Sequence, residues 1–122
     1  MTDIEHPGVS VVLDVNDLER ATAFWSAALG FPIQRPITQF MVLRPDEPDD
    51  HRPNLILQKV REPKVGKNRA HLDLFFASRD QARERLLGLG ASLVQEQPNC
   101  IGDHCWYLMA DPEGNEFCVV GD

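Results

Sequence analysis

Apolar and polar positions along the chain follow two rhythms, and the changes of rhythm mark the elements. Residues Val9–Val15 (VSVVLDV) are β-branched and apolar, which predicts a strand buried on at least one face. Asp17 stands where an N-cap belongs. From Leu18 the apolar residues Leu18, Ala21, Phe24, Trp25, Ala28 and Leu29 recur at threes and fours, tracing one face of a helix. Gly30 supplies the stop, and Pro32 prevents resumption. Two more strands are predicted at Gln39–Arg44 and Asn54–Val60. Between them Arg44–Pro53 holds three prolines and four acids, the composition of a solvated loop.

After a polar connector, Arg61–Arg69, the same order restarts. Ala70–Phe76 reads as a strand, and Ser78 with Gln81 forms a capping box ahead of a helix. Ala82, Leu86 and Leu89 mark that helix's buried face, and Gly90 ends it. Strands follow at Ser92–Glu96, Cys105–Ala110 and Glu116–Val120. The last two are joined by Asp111–Asn115 (DPEGN), whose residue types suit a hairpin turn. The pattern predicts an α+β chain of two βαβββ modules, residues 1–62 and 63–122. Leu29-Gly30 and Leu89-Gly90 lie 60 residues apart, and the last strands of the two halves fit that spacing. The first strands fit a spacing of 61, which sets Ser10 opposite His71. A ferredoxin-like βαββαβ chain needs only two strands between its helices, whereas Gly30–Ser78 has room and pattern for about four.

Length narrows the picture to one domain, because 122 residues suit a single domain built from two small modules sharing a core. A net charge of −7, spread over both halves, repels nucleic-acid backbones and anionic membranes. No apolar run approaches the roughly 18–20 residues of a membrane span. Met1–Pro7 carries Asp3 and Glu5 and lacks the layout of a secretory signal. Three cysteines, Cys100, Cys105 and Cys118, cannot all pair within one chain. Reduced thiols in a cytoplasm are the economical expectation, although the Cys100–Cys105 spacing permits a disulfide.

Three stretches now carry a resemblance. Phe24–Phe31 (FWSAALGF) looks like the "FYxxxLGF" helix end, and Asp111–Phe117 (DPEGNEF) like the "DPxGNxxE" closing hairpin, of the glyoxalase/bleomycin-resistance/extradiol-dioxygenase superfamily, also called vicinal oxygen chelate. Glu62–Leu74 (EPKVGKNRAHLDL) is similar to the module junction of its glyoxalase-like subgroup. The resemblance implies two βαβββ modules forming a curved, half-open sheet around a cavity that often holds a divalent metal. It also implies a homodimer.

Family metal ligands come from the first and last strand of each module. The matching positions here are Ser10, Gln58, His71 and Cys118. Ser10 is a poor ligand, and Cys118 stands where relatives place a carboxylate, so a hard octahedral cation is disfavoured. No cofactor is required. If a divalent metal binds, His71, Gln58 and Cys118 are its ligands, with Glu116 close by. His71 is the candidate catalytic residue, and Asp73, on the same side of its strand, would orient the imidazole. Ser10, Phe40, Gln58, His71, His104, Trp106 and Cys118 are the candidate ligand-binding residues. Lys64, Lys67 and Arg69 form a basic run that either steers anions or packs as a solvated linker. Two readings of function follow. The first is a small-molecule-binding protein of unknown substrate, as bleomycin-resistance relatives are. The second is a metal-dependent lyase, isomerase or dioxygenase.

Overall fold

A computed structural model describes residues 8–122, and Met1–Pro7 lies outside the described residues. The chain divides into two compact units, one ending at Glu62 and the other starting at Pro63.

The first unit contains β1 (Ser10–Val15), α1 (Leu18–Leu29), β2 (Phe40–Leu43) and β3 (Asn54–Lys59). The sheet order is β1-β3-β2, with β1 parallel and β2 antiparallel to β3. Helix α1 starts where Asp17 turns extended and its carboxylate accepts the Arg20 N–H at 3.0 Å. It stops at Gly30, whose φ of 72° is left-handed and whose N–H donates to the Ser26 carbonyl. The apolar stripe of α1 buries Ala21, Phe24, Trp25 and Ala28, and packs against β2 and β3. Val15, Met41, Leu43, Leu55 and Leu57 are buried as well. Phe24 and Trp25 meet edge to face, ring centroids 5.1 Å apart. Each such large side chain contributes roughly 1.5–3 kcal/mol by leaving water.

The second unit contains β4 (Leu72–Phe75), α2 (Arg79–Gly88), β5 (Ser92–Leu93), β6 (Asn99–Ile101), β7 (His104–Ala110) and β8 (Glu116–Val120). Its order is β4-β8-β7-β5, and β6 also pairs with β7. Ser78 caps α2 by accepting the Gln81 N–H at 3.3 Å, the first half of the capping box. The helix buries only Ala82 and Leu86. Polar ties supplement that contact. Arg79 donates to the Gly121 carbonyl at 2.6 Å, the Arg83 guanidinium lies 4.8 Å above the Tyr107 ring, and the Tyr107 hydroxyl donates to Asp80. Gly121 is required where the chain passes Phe76, because a Cβ there would collide with the Phe76 carbonyl. The β7–β8 hairpin turns at Asp111–Asn115. Buried Asp111 accepts the Glu113 N–H at 2.9 Å and the Asn115 N–H at 2.8 Å.

The class is α+β with open mixed sheets. Three details differ from the sequence-based expectation. First, three strands lie between the helices rather than about four. Residues 31–39 form only a single bridge, Ile37–Phe40, because Pro32 and Pro36 lack the N–H a ladder needs. Second, Asn99–Ile101 forms a strand that the pattern did not mark. Third, Cys100 and Cys105 face each other across the β6–β7 hairpin and are disulfide-bonded, Cα atoms 4.1 Å apart. Reduced thiols were therefore the wrong expectation for this pair, and Cys118 is the free, buried cysteine. Among the described residues, no helix is long and apolar enough to cross a membrane.

Candidate functional site

Each sheet turns one face to its helix, and strand alternation puts the remaining side chains on the other face. In the second unit Tyr107 belongs to the α2 side, since it meets Asp80 and Arg83. Its pairing with Val119 places Cys118, with Asp73 beside it, on the opposite face. That face also carries Phe75, Trp106, Leu108, Glu116 and Val120.

The chemistry there concentrates at the start of β4. The His71 Nε2 atom lies 3.2 Å from an Asp73 carboxylate oxygen. One donor atom each from His71, Asp73 and Cys118 fall within 4.8 Å of one another. His71 and Asp73 are about half exposed, whereas Cys118 is buried. Burial pushes the Cys118 thiol up, and the negative charge of Asp73, which also accepts a hydrogen bond from it, pushes it further. The thiol is thus held protonated. The carboxylate between imidazole and thiol fixes which imidazole nitrogen carries a proton when His71 is neutral.

Glu116 lies one strand step away but is committed elsewhere. It accepts the Asn68 N–H at 3.1 Å, and Lys67 and Lys64 approach it at 3.3 and 3.8 Å. The Asn68 N–H, followed by the hydrogen bond and charge of Lys67, holds its carboxyl below the usual range. Two lysines of the basic run are therefore engaged with an acid of their own chain. On β7 the rings of His104 and Trp106 lie 5.5 Å apart, while Cys105 sits in the disulfide.

The remaining candidates, Ser10, Phe40 and Gln58, belong to the first unit. Gln58 pairs with Asp14 on one side and Phe40 on the other. Ser10 lies four residues before Asp14, at the far end of β1. It borders a recess of about 520 Å³ shared with His51, Arg52 and Asn54. Arg52 is already held there, by Asp50 at 2.7 Å and by stacking 4.5 Å over Phe31.

Strand register corrects the repeat count. Gln58 precedes Cys118 by 60 residues, but their strand partners Asp14 and Asp73 are 59 apart. In that register Val12, not Ser10, corresponds to His71. Asp73 is the one residue of the cluster that the sequence placed only as an orienting group. Its membership follows from the Asp73–Cys118 pairing.

The cluster's donor set can be tested against a metal. One imidazole, one carboxylate and one thiol suit a borderline cation such as zinc, with a fourth position open. They do not suit a hard octahedral ion. The raised thiol works against binding, because the ligand is the thiolate.

The glyoxalase-like domain family model matches residues 10–120. No curated protein sequence matches the chain. Solved structures match over almost its whole length. A glyoxalase/bleomycin resistance protein from Albidiferax ferrireducens T118 is 21% identical, with a TM-score of 0.67, over 93% of this chain and 96% of that one. The fosfomycin resistance protein FosX from Listeria monocytogenes is 16% identical, with a TM-score of 0.72, over 93% and 91%. A glyoxalase/bleomycin resistance protein/dioxygenase from Nocardioides is 17% identical, with a TM-score of 0.72, over 98% and 85%. At these identities the structures speak for the fold, and the family match speaks for the lineage: the chain belongs to the glyoxalase-like domain family.

Proposed function

We propose that the protein binds a small molecule over the open face of its second unit, with His71 as the contacting residue and no tightly held metal. The observation that carries this reading is the row of imidazole, carboxylate and protonated thiol on one sheet face. Asp73 holds the His71 ring, so the imidazole nitrogen not facing Asp73 presents a hydrogen bond to a ligand. Trp106 and Phe75 on the same face supply apolar surface of the kind ligand sites use. Its position on the open face would make His71 the acid or base if the bound molecule reacts.

A second reading rests on the same three donors. A zinc-like ion held by His71, Asp73 and Cys118 would polarise a ligand oxygen, as lyase, isomerase or dioxygenase chemistry requires. Elemental analysis of untagged protein separates the two. Well under one metal equivalent is expected, and near-stoichiometric metal lost in His71→Ala would establish the second reading. Relatives of this fold are named for resistance to fosfomycin and bleomycin, so these two compounds are the first calorimetric probes. Saturable binding weakened by His71→Ala supports the assignment. Binding indifferent to that change refutes it. We also infer a homodimer in solution, consistent with the exposure of Val12 and Phe75, and sedimentation equilibrium tests it.

A further inference from the structure

We propose that the first unit carries a second ligand site, for a small uncharged molecule with an apolar body and one hydrogen-bonding group. The site is a cavity of about 940 Å³ between the first turns of α1, the 33–39 segment and β2, within the size range of small-molecule pockets. It lies on the helix side of the first unit and shares no residue with the His71 cluster.

Its deep end is made by Thr22 and Met41, which are 5% and 3% exposed. The Thr22 hydroxyl is buried and has no hydrogen-bond partner among the described residues. A buried hydroxyl left unpaired costs about 1–3 kcal/mol, so its position on a cavity wall is a reason to look for a partner in the cavity. Leu18, Ala23, Ile33 and Pro36 line the walls with apolar surface, and Ile33 is 59% exposed. Charged side chains, Asp17, Glu19 and Lys59, occur only among the exposed lining residues. The buried end offers no counter-charge, and a charged group placed there would lose its hydration uncompensated. The fitting molecule is therefore neutral where it meets Thr22 and Met41.

One further observation marks the same wall. Thr38 adopts a φ of 49°, the left-handed region that a β-branched residue rarely enters, and it lines the cavity. Such outliers persist where surroundings hold them, and ligand clamps are among those places.

Indole, a neutral bicycle with one N–H, is the probe. Titrated into the intact ¹⁵N-labelled chain, it should give saturable amide shifts at Thr22, Thr38, Gln39 and Met41, with Asp73 and Cys118 unmoved. Thr22→Val replaces the hydroxyl with a methyl of similar size and should weaken binding about five- to tenfold, the equivalent of one hydrogen bond, without loss of stability in urea. Thr22→Ser should retain binding. Ala23→Trp, at an exposed helix position, should fill the cavity and abolish it. Shifts that fail to saturate, or that fall only on β4 and β8, overturn the proposal. So does undiminished binding by Thr22→Val or Ala23→Trp.

Discussion

The two units build the same kind of frame and use its faces differently. Helix α1 buries Phe24 and Trp25 and holds its sheet by apolar contact, whereas α2 buries Ala82 and Leu86 and adds arginine and tyrosine ties. The open faces are reversed in character. In the first unit that face carries Ser10, Val12 and Asp14 beside Asn54, Ile56 and Gln58. In the second it carries His71, Asp73 and Cys118, the one cluster of potential metal donors among the described residues. Where the helix packs by bulk, the open face is chemically plain. Where it packs by polar contacts, the open face carries an imidazole, a carboxylate and a thiol. The lesson is that one scaffold can place its bulk apolar packing and its clustered polar donors in different repeats.

The largest test addresses the apolar half. Trp25→Ala should cost about 3–5 kcal/mol in urea denaturation, as large-to-small core changes do. A loss below about 1 kcal/mol would mean that α1 is not anchored by its stripe. The second test compares the open faces directly. His71→Ala should weaken ligand binding about tenfold, the equivalent of about 1.4 kcal/mol, with stability nearly unchanged, while Ser10→Ala should alter neither. Equal losses from both would erase the distinction between the faces.

The third test concerns the polar ties of α2. Tyr107→Phe should cost about 1 kcal/mol at neutral pH, one hydrogen bond's worth. The bond to Asp80, with burial second, raises the Tyr107 hydroxyl above its ordinary 10.0. A raised folded value means that this contribution is complete below pH 10 and lost as pH climbs through the folded value. The gap between wild type and Tyr107→Phe should therefore close in alkaline urea melts. A gap that widens would refute the assignment. The smallest effect is expected at Thr38→Gly, a stabilisation of roughly 0.5 kcal/mol, since relieved left-handed strain slightly exceeds the glycine entropy cost. A destabilised variant would show that Thr38 is not strained.

Most of the frame was legible because it rests on local chemistry. Asp17, Gly30, Ser78 and the Asp111–Asn115 turn each act within a few residues, and each sits where the pattern put it. Strand β6 was not legible, since Gln97 and Pro98 just ahead of it read as loop and only the pairing across Gly102-Asp103 makes a strand of Asn99–Ile101. The register of β1 against β3 was hidden for a different reason. A slip of two residues leaves every side chain on its own face, so hydrophobic alternation cannot detect it, whereas a slip of one would invert the pattern. That blind spot is why Ser10 was paired with His71, and why Asp73 entered the cluster only through its pairing with Cys118.

The closing turn has a consequence for how such a chain can change. Asp111 clamps two backbone N–H groups and lies across from Asn115 with its amide at 3.3 Å, so the length between β7 and β8 is rigidly set. What this motif preserves is phase. Removing a single residue between Asp111 and Asn115 would turn Cys118 and Glu116 toward the helix and send Phe117 and Val119 outward, exchanging a polar face for a greasy one in one step. Replacing Cys118, by contrast, alters chemistry while leaving the phase intact. The turn therefore sets the phase of β8, and a side chain there can change without disturbing that phase.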